Sequence, residues 1–300
     1  MLKMLNFALT NYKKRMENRD NNGFLKRVFP QWWDILVMLL LFATSQAVSG
    51  MLLQLFGIEA PATSEVDAVD VETYMKEQGA LGRYTAFVHL FSFLFSIGVL
   101  WLYARIRGGK RVIRIRHKAS GFNPSVILVG VMWLMASQIV LEPLLELLPA
   151  DDGHGIGRGM WAAFTAIVSA PILEELLCRG VLFEVLNIRW GVKVSILVSS
   201  LFFGLLHLSP ANAIVALIAG FIFGALYVRT SSLYVTIIIH AINNALAFAL
   251  ISFGIDDMSF AEMLGNGVIY YVVYALSALL FVGASVEAWM TVLRANKKLG

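Results

Sequence analysis

A single cysteine in 300 residues, Cys178, rules out an internal disulfide framework and any CxxC metal or redox pair. Charge is scarce too: Asp, Glu, Lys and Arg make up 15% of the chain against 58% hydrophobic residues, which excludes an ordinary soluble domain. No internal repeat, low-complexity tract or long linker interrupts the sequence, so one domain is expected. The first thirty residues are polar and basic and lead into FPQWWD. They lack a short apolar run followed by a small-residue cleavage site, so no removable leader is expected.

What the sequence has is apolar length. A helix needs about 20 mostly apolar residues to span a bilayer, and eight stretches approach that: roughly 35–56, 84–104, 124–148, 160–186, 194–208, 211–228, 233–253 and 267–288. The fold class expected is therefore all-α, a polytopic membrane bundle of about eight transmembrane helices around a polar intramembrane cavity. Lys and Arg collect on the cytoplasmic side of short loops. With a cytoplasmic N-terminus, 20 of the 24 Lys and Arg fall inside, including the run RIRGGKRVIRIRHK at 105–118, while the outer loops carry EAPATSEVDAVDVETYMKE, PADDG and IDDMSFAEM. Both termini are thus expected in the cytoplasm, with residues 1–33 and 291–300 as cytoplasmic segments, 34–290 as one transmembrane domain, and the plasma or inner membrane as the location. The net charge of +4 is spent on this topology, so no nucleic-acid partner is expected.

Residues 1–18 place Leu2, Leu5 and Leu9 on one helical face ahead of Lys and Arg, as in a helix lying on an anionic membrane surface or in a frayed basic tail. The outer stretch 58–83 contains VDVETYMKEQ, expected to form a turn or two of helix capping the bundle, with no chemistry of its own.

Ionisable groups within spans are costly and mark protein interiors and function. They gather in the second half: Glu174, Glu175 and Arg179 in ILEELLCRG, His207 in FGLLH, and His240 with Asn244 in HAINN. Glu175 and Arg179 stand four residues apart on one helical face and suit an ion pair that organises the site. Glu174 is turned by about 100° from Glu175 and is left as the freer carboxylate. Pro171 lacks a backbone donor and is expected to kink the helix beside it. At about 1.5 Å per residue, Glu174 and His207 lie roughly 18 and 20 Å from the inner surface and His240 about 10 Å, which points to access from the cytoplasm.

Such a set fits hydrolysis of an amide. Glu174, with His207 as co-base, can deprotonate a water, and His240 and Asn244 can donate hydrogen bonds to an oxyanion. Glu174, His207 and His240 also fit a zinc site with an open position for water, so the cofactor is either none or Zn2+. Asn243 is an alternative to Asn244 as the amide donor.

EELLCR, FGLLH and HAINN follow the patterns EExxxR, FxxxH and HxxxN in that order on separate apolar segments. In this the chain resembles the CAAX prenyl protease type 2 and bacteriocin-processing (CPBP) family of intramembrane proteases, over roughly residues 160–250. The resemblance implies an α bundle with a conical cavity, endopeptidase activity on a membrane-associated peptide or protein, lipidated or unmodified, and the roles just given for Glu174, His207, His240 and Asn244, with Glu175 and Arg179 organising the site. Family members are described both as metalloproteases and as metal-free, glutamate-dependent enzymes.

Other polar residues read more plainly. His89 on its apolar span, and His117 and His154 in loops, are expected to be structural or solvated. Cys178 is expected to be an inert buried hydrophobe, and Glu184 to be solvated near the inner headgroups. Gly220 and Gly224 form a GxxxG step for close helix packing. Two rival functions remain on this reading: a non-catalytic membrane scaffold or immunity protein that keeps Glu175 and Arg179 as a packing pair, and a proton-coupled transporter, which the lack of an inverted repeat disfavours.

Overall fold

The computed structural model describes residues 29–62, 70–107, 123–148, 155–207, 209–255, 258–265 and 267–297. The N-terminal amphipathic stretch, most of the basic run 105–118, His117, His154 and all of PADDG lie outside these.

Every regular element among the described residues is helical. Helix α1 is Trp32–Leu55, α2 is Val71–Ile106 and α3 is Pro124–Leu145. A continuous helical run over residues 160–189, here α4, is followed by α5 (Gly191–Leu205), α6 (Pro210–Thr230), α7 (Leu233–Phe253), the short α8 (Phe260–Met263) and α9 (Val268–Lys297). Among them α1, α2, α3, α6, α7 and α9 are long and apolar enough to cross a membrane. Large apolar side chains such as Leu40, Leu94, Leu201 and Leu279 stand more than half exposed. A soluble surface does not carry so much exposed hydrocarbon, whereas a bilayer covers it. The protein is an integral membrane helical bundle.

Helix ends follow local chemistry. The Asp70 carboxylate accepts from the Thr73 amide at 3.0 Å and starts α2. Pro124 and Pro210 sit in the first turns of α3 and α6, where a missing N–H costs nothing. Gly254 ends α7 in the left-handed conformation at φ +67°.

Two expectations change here. Within VDVETYMKEQ, residues 71–78 are the start of α2 itself, so that helix runs 36 residues instead of beginning near 84. The reason is its Asp70 cap, together with close packing against the start of α4: the Arg158 amide donates to Gln78 O at 3.1 Å, and Thr85 Oγ1 donates to Ile156 O at 2.8 Å. Gly82 carries no side chain there because a Cβ would stand 2.9 Å from Arg158 O. Glu184 is fully buried, and its Oε1 accepts from Tyr227 Oη at 2.9 Å, so it is not at the headgroups. The α4 run continues to Arg189, which places Glu184 inside the helix packing instead of at its end.

α1 and α2 pair through a seam of small polar residues, with Ser45 Oγ 2.6 Å from Ser96 Oγ. At the end of that pair, Asp34 is wholly buried and receives Arg107 Nε at 2.9 Å and Tyr103 Oη at 2.5 Å. Arg189 at the end of α4 donates to Gln31 Oε1 at 2.6 Å, so these helix termini meet at one end of the bundle. α5 and α6 approach most closely at glycines: a Cβ on Gly220 would stand 2.9 Å from Ser200 Cα, and one on Gly224 would stand 3.3 Å from Ile196. The GxxxG step is therefore a packing surface.

Candidate active site

The site is built on α4, which is not a regular helix. Two π-turns, Thr165–Ser169 and Leu176–Phe183, interrupt it on either side of the α-helical Ala170–Glu175. The proline expected to kink this helix explains the first. In the widened turn the Ala170 amide donates to Thr165 O, a span of five residues. The next carbonyl in that register, Ala166 O, would need the amide of Pro171, which has no hydrogen. Its partner comes from another helix: Asn244 Nδ2 donates to Ala166 O at 2.9 Å. Asn244 Oδ1 in turn accepts from Asn243 Nδ2 at 3.3 Å, and Gln138 Nε2 donates to Asn243 Oδ1 at 2.7 Å. Asn243 thus serves the amide chain behind Asn244.

Glu175 and Arg179 pair as their spacing requires. Arg179 Nη1 lies 2.6 Å from Glu175 Oε1 with both side chains fully buried, and Arg179 Nη2 donates to Gly220 O at 2.7 Å. The guanidinium also lies over the rings of Phe203 and Phe223, at 4.8 and 5.3 Å. This pair ties α4 to α5 and α6.

Glu174 faces elsewhere. Its Oε1 is 3.7 Å from His89 Nε2 and its Oε2 is 3.9 Å from His240 Nε2, so an imidazole flanks each carboxylate oxygen. His240 is nearly buried, stacked on Phe223 with ring centroids 5.0 Å apart, and its Nδ1 is 3.6 Å from Glu175 Oε1. One histidine therefore stands between the two glutamates. His240 and Glu174 share a depth, against the 8 Å offset counted along straight spans; that count took every helix as untilted and regular.

His207 lies just past the end of α5. Its Nδ1 is 3.0 Å from Phe203 O, and a carbonyl only accepts, so the proton sits on Nδ1. In the neutral ring Nε2 then carries the lone pair. Phe203 is the common neighbour, with its ring 5.4 Å from that of His207 and 5.6 Å from that of His240. In FxxxH, then, the phenylalanine supplies both the carbonyl that sets the tautomer and an apolar wall.

Residues 157–246 match the family model Rce1-like, described as type II CAAX prenyl endopeptidase Rce1-like. The match is confined to that part of the chain. It spans Glu174, Glu175, Arg179, His207, His240 and Asn244, and it leaves out α1, α2 and α3. No curated protein matches the chain, and no solved structure does.

Among the described residues no three His, Cys, Asp or Glu side chains stand together as a group that could hold a metal ion, so Glu174, His207 and His240 do not fit a zinc site as they are placed. Cys178 is wholly buried.

The residue that sequence reading set aside is His89. A signal existed: Gly82, Ala86, His89, Ser92 and Ser96 recur every three or four positions along an apolar span, marking a face of α2 that packs on protein instead of lipid.

Proposed function

We propose that this protein is an intramembrane endopeptidase that hydrolyses a peptide bond of a membrane-associated substrate, lipidated or unmodified, with Glu174 as general base. The observation that carries the reading is the Glu174 carboxylate, set in an apolar bundle between imidazoles and apart from the Glu175 and Arg179 pair.

The chemistry follows from the groups present. A water bound between Glu174 and Nε2 of His207 gives a proton to Glu174 while its oxygen bonds to the scissile carbonyl carbon. Negative charge on the carbonyl oxygen is met by the amide of Asn244, which has a second N–H beyond the one given to Ala166 O, and by an N–H of His240. As the tetrahedral species collapses, the C–N bond breaks and Glu174 returns the proton to the departing amine. The basic helix ends support cytoplasmic termini in a plasma or inner membrane.

The test is cleavage of a peptide library by the purified protein in lipid, compared with Glu174→Gln. Loss of cleavage with an unchanged melting profile supports the reading. Unchanged cleavage removes Glu174 as base, and a parent protein that cuts nothing while its Glu174→Gln and His207→Ala forms keep biological activity supports the scaffold instead.

A further inference from the structure

His89 belongs to α2, outside the matched region, yet its ring lies against the carboxylate on which the proposed chemistry depends. Its Nδ1 is 3.3 Å from Ser169 Oγ, in the first π-turn of α4, and its ring stacks on Phe93 with centroids 4.4 Å apart. A serine hydroxyl that donates to Nδ1 leaves the ring proton on Nε2, aimed at Glu174 Oε1. That Nε2 is buried and has no hydrogen-bond partner at ordinary distance, although a carboxylate stands 3.7 Å away. Burying a donor without a partner is costly, and catalytic hydrogen bonds that are long in the resting protein tighten as substrate binds. Helix α2 is held in register for this contact. The bonds from Arg158 N to Gln78 O and from Thr85 Oγ1 to Ile156 O tie it to the start of α4, and Thr85 lies one turn before His89.

We propose that His89 is a positioning residue for Glu174. Held by Ser169, it donates Nε2–H to Oε1 and turns the other carboxylate oxygen toward the reacting water. The domain recognisable as a protease is then incomplete without the second helix of the chain. This rests on the reading of Glu174 as general base.

The test uses the full chain in lipid with parent, His89→Gln, His89→Leu and Ser169→Ala, scored on one cleaved member of a peptide library. His89→Leu is expected to lower kcat on the order of 10- to 100-fold, the effect of misplacing a catalytic group, with KM and melting temperature little changed. His89→Gln places an amide N–H near the former Nε2 and is expected to recover most of the loss; Ser169→Ala falls between them. Unchanged kcat in His89→Leu, or a glutamine variant no better than the leucine one, overturns the proposal. A second readout is independent of turnover: nitrogen-15 spectra of histidine-labelled protein, with the His89 signals identified by their absence in His89→Gln. Glu174→Gln is expected to shift the His89 Nε2–H resonance, and an unmoved resonance overturns the proposal even if His89→Leu fails to fold. Should the parent protein cleave nothing while that resonance still shifts, the endopeptidase reading falls and the His89 to Glu174 contact stands.

Discussion

Arg179 Nη1 lies 2.6 Å from Glu175 Oε1 inside the bundle, and neither side chain is exposed. Removing one partner of a buried pair leaves an uncompensated charge and costs about 3–5 kcal/mol. Glu175→Ala and Arg179→Ala are each expected to lower the melting temperature in detergent sharply, with activity lost through unfolding. Arg179→Lys is expected to rescue little, because one ammonium cannot reproduce the two directions in which Arg179 serves Glu175 and Gly220 O.

Glu174→Gln is expected to behave oppositely. The side chain keeps its shape, and Glu174 has no arginine to strand, so the melting profile should match the parent. Loss of a general base lowers kcat about 100- to 10,000-fold, measurable by peptide cleavage.

Asn244→Ala is expected to lower kcat about 100- to 1,000-fold, the cost of one oxyanion donor. Pro171→Ala tests how Asn244 is held. It gives residue 171 an amide that competes for Ala166 O, and the expected result is a smaller fall in kcat with KM unchanged.

Ahead of any assay, much of this site is legible in the residues. Four-residue spacing pairs Glu175 with Arg179 and turns Glu174 away from both, because a helix advances about 100° per residue. His89 is less legible. Its neighbours in space are Ser169 and Glu174, some eighty residues on, and its place on the small-residue face of α2 marks a packed side without saying which side chain it meets. Glu184 misleads for a related reason: distance along a span says where a helix ends only if the helix ends there.

Gly220→Leu is expected to separate α5 from α6. Even a Cβ at that position would stand 2.9 Å from the Ser200 backbone, where nothing flexible can yield. Overpacking of this kind costs about 1–3 kcal/mol or more, and displacement of Gly220 O also loosens Arg179. Thermal unfolding and cleavage should both fall.

Chelator treatment of the purified protein is expected to leave cleavage intact, since no three ligand side chains among the described residues group to hold a metal ion. Loss of cleavage on chelation, restored by zinc, would replace the water activation proposed above.

By itself the sequence determined the solvent, the helical class and the intrahelical pairs, because these depend on apolar length and on periodicity within one segment. It also determined which glutamate has an arginine one turn away. Only the tertiary structure decided what the other glutamate meets. Contacts between helices depend on tilt, on register and on the π-turns around Pro171, and none of these is a property of one segment alone. That is why α2 supplies His89 from outside the recognisable domain, and why Asn244 docks on a carbonyl freed by a proline on another helix.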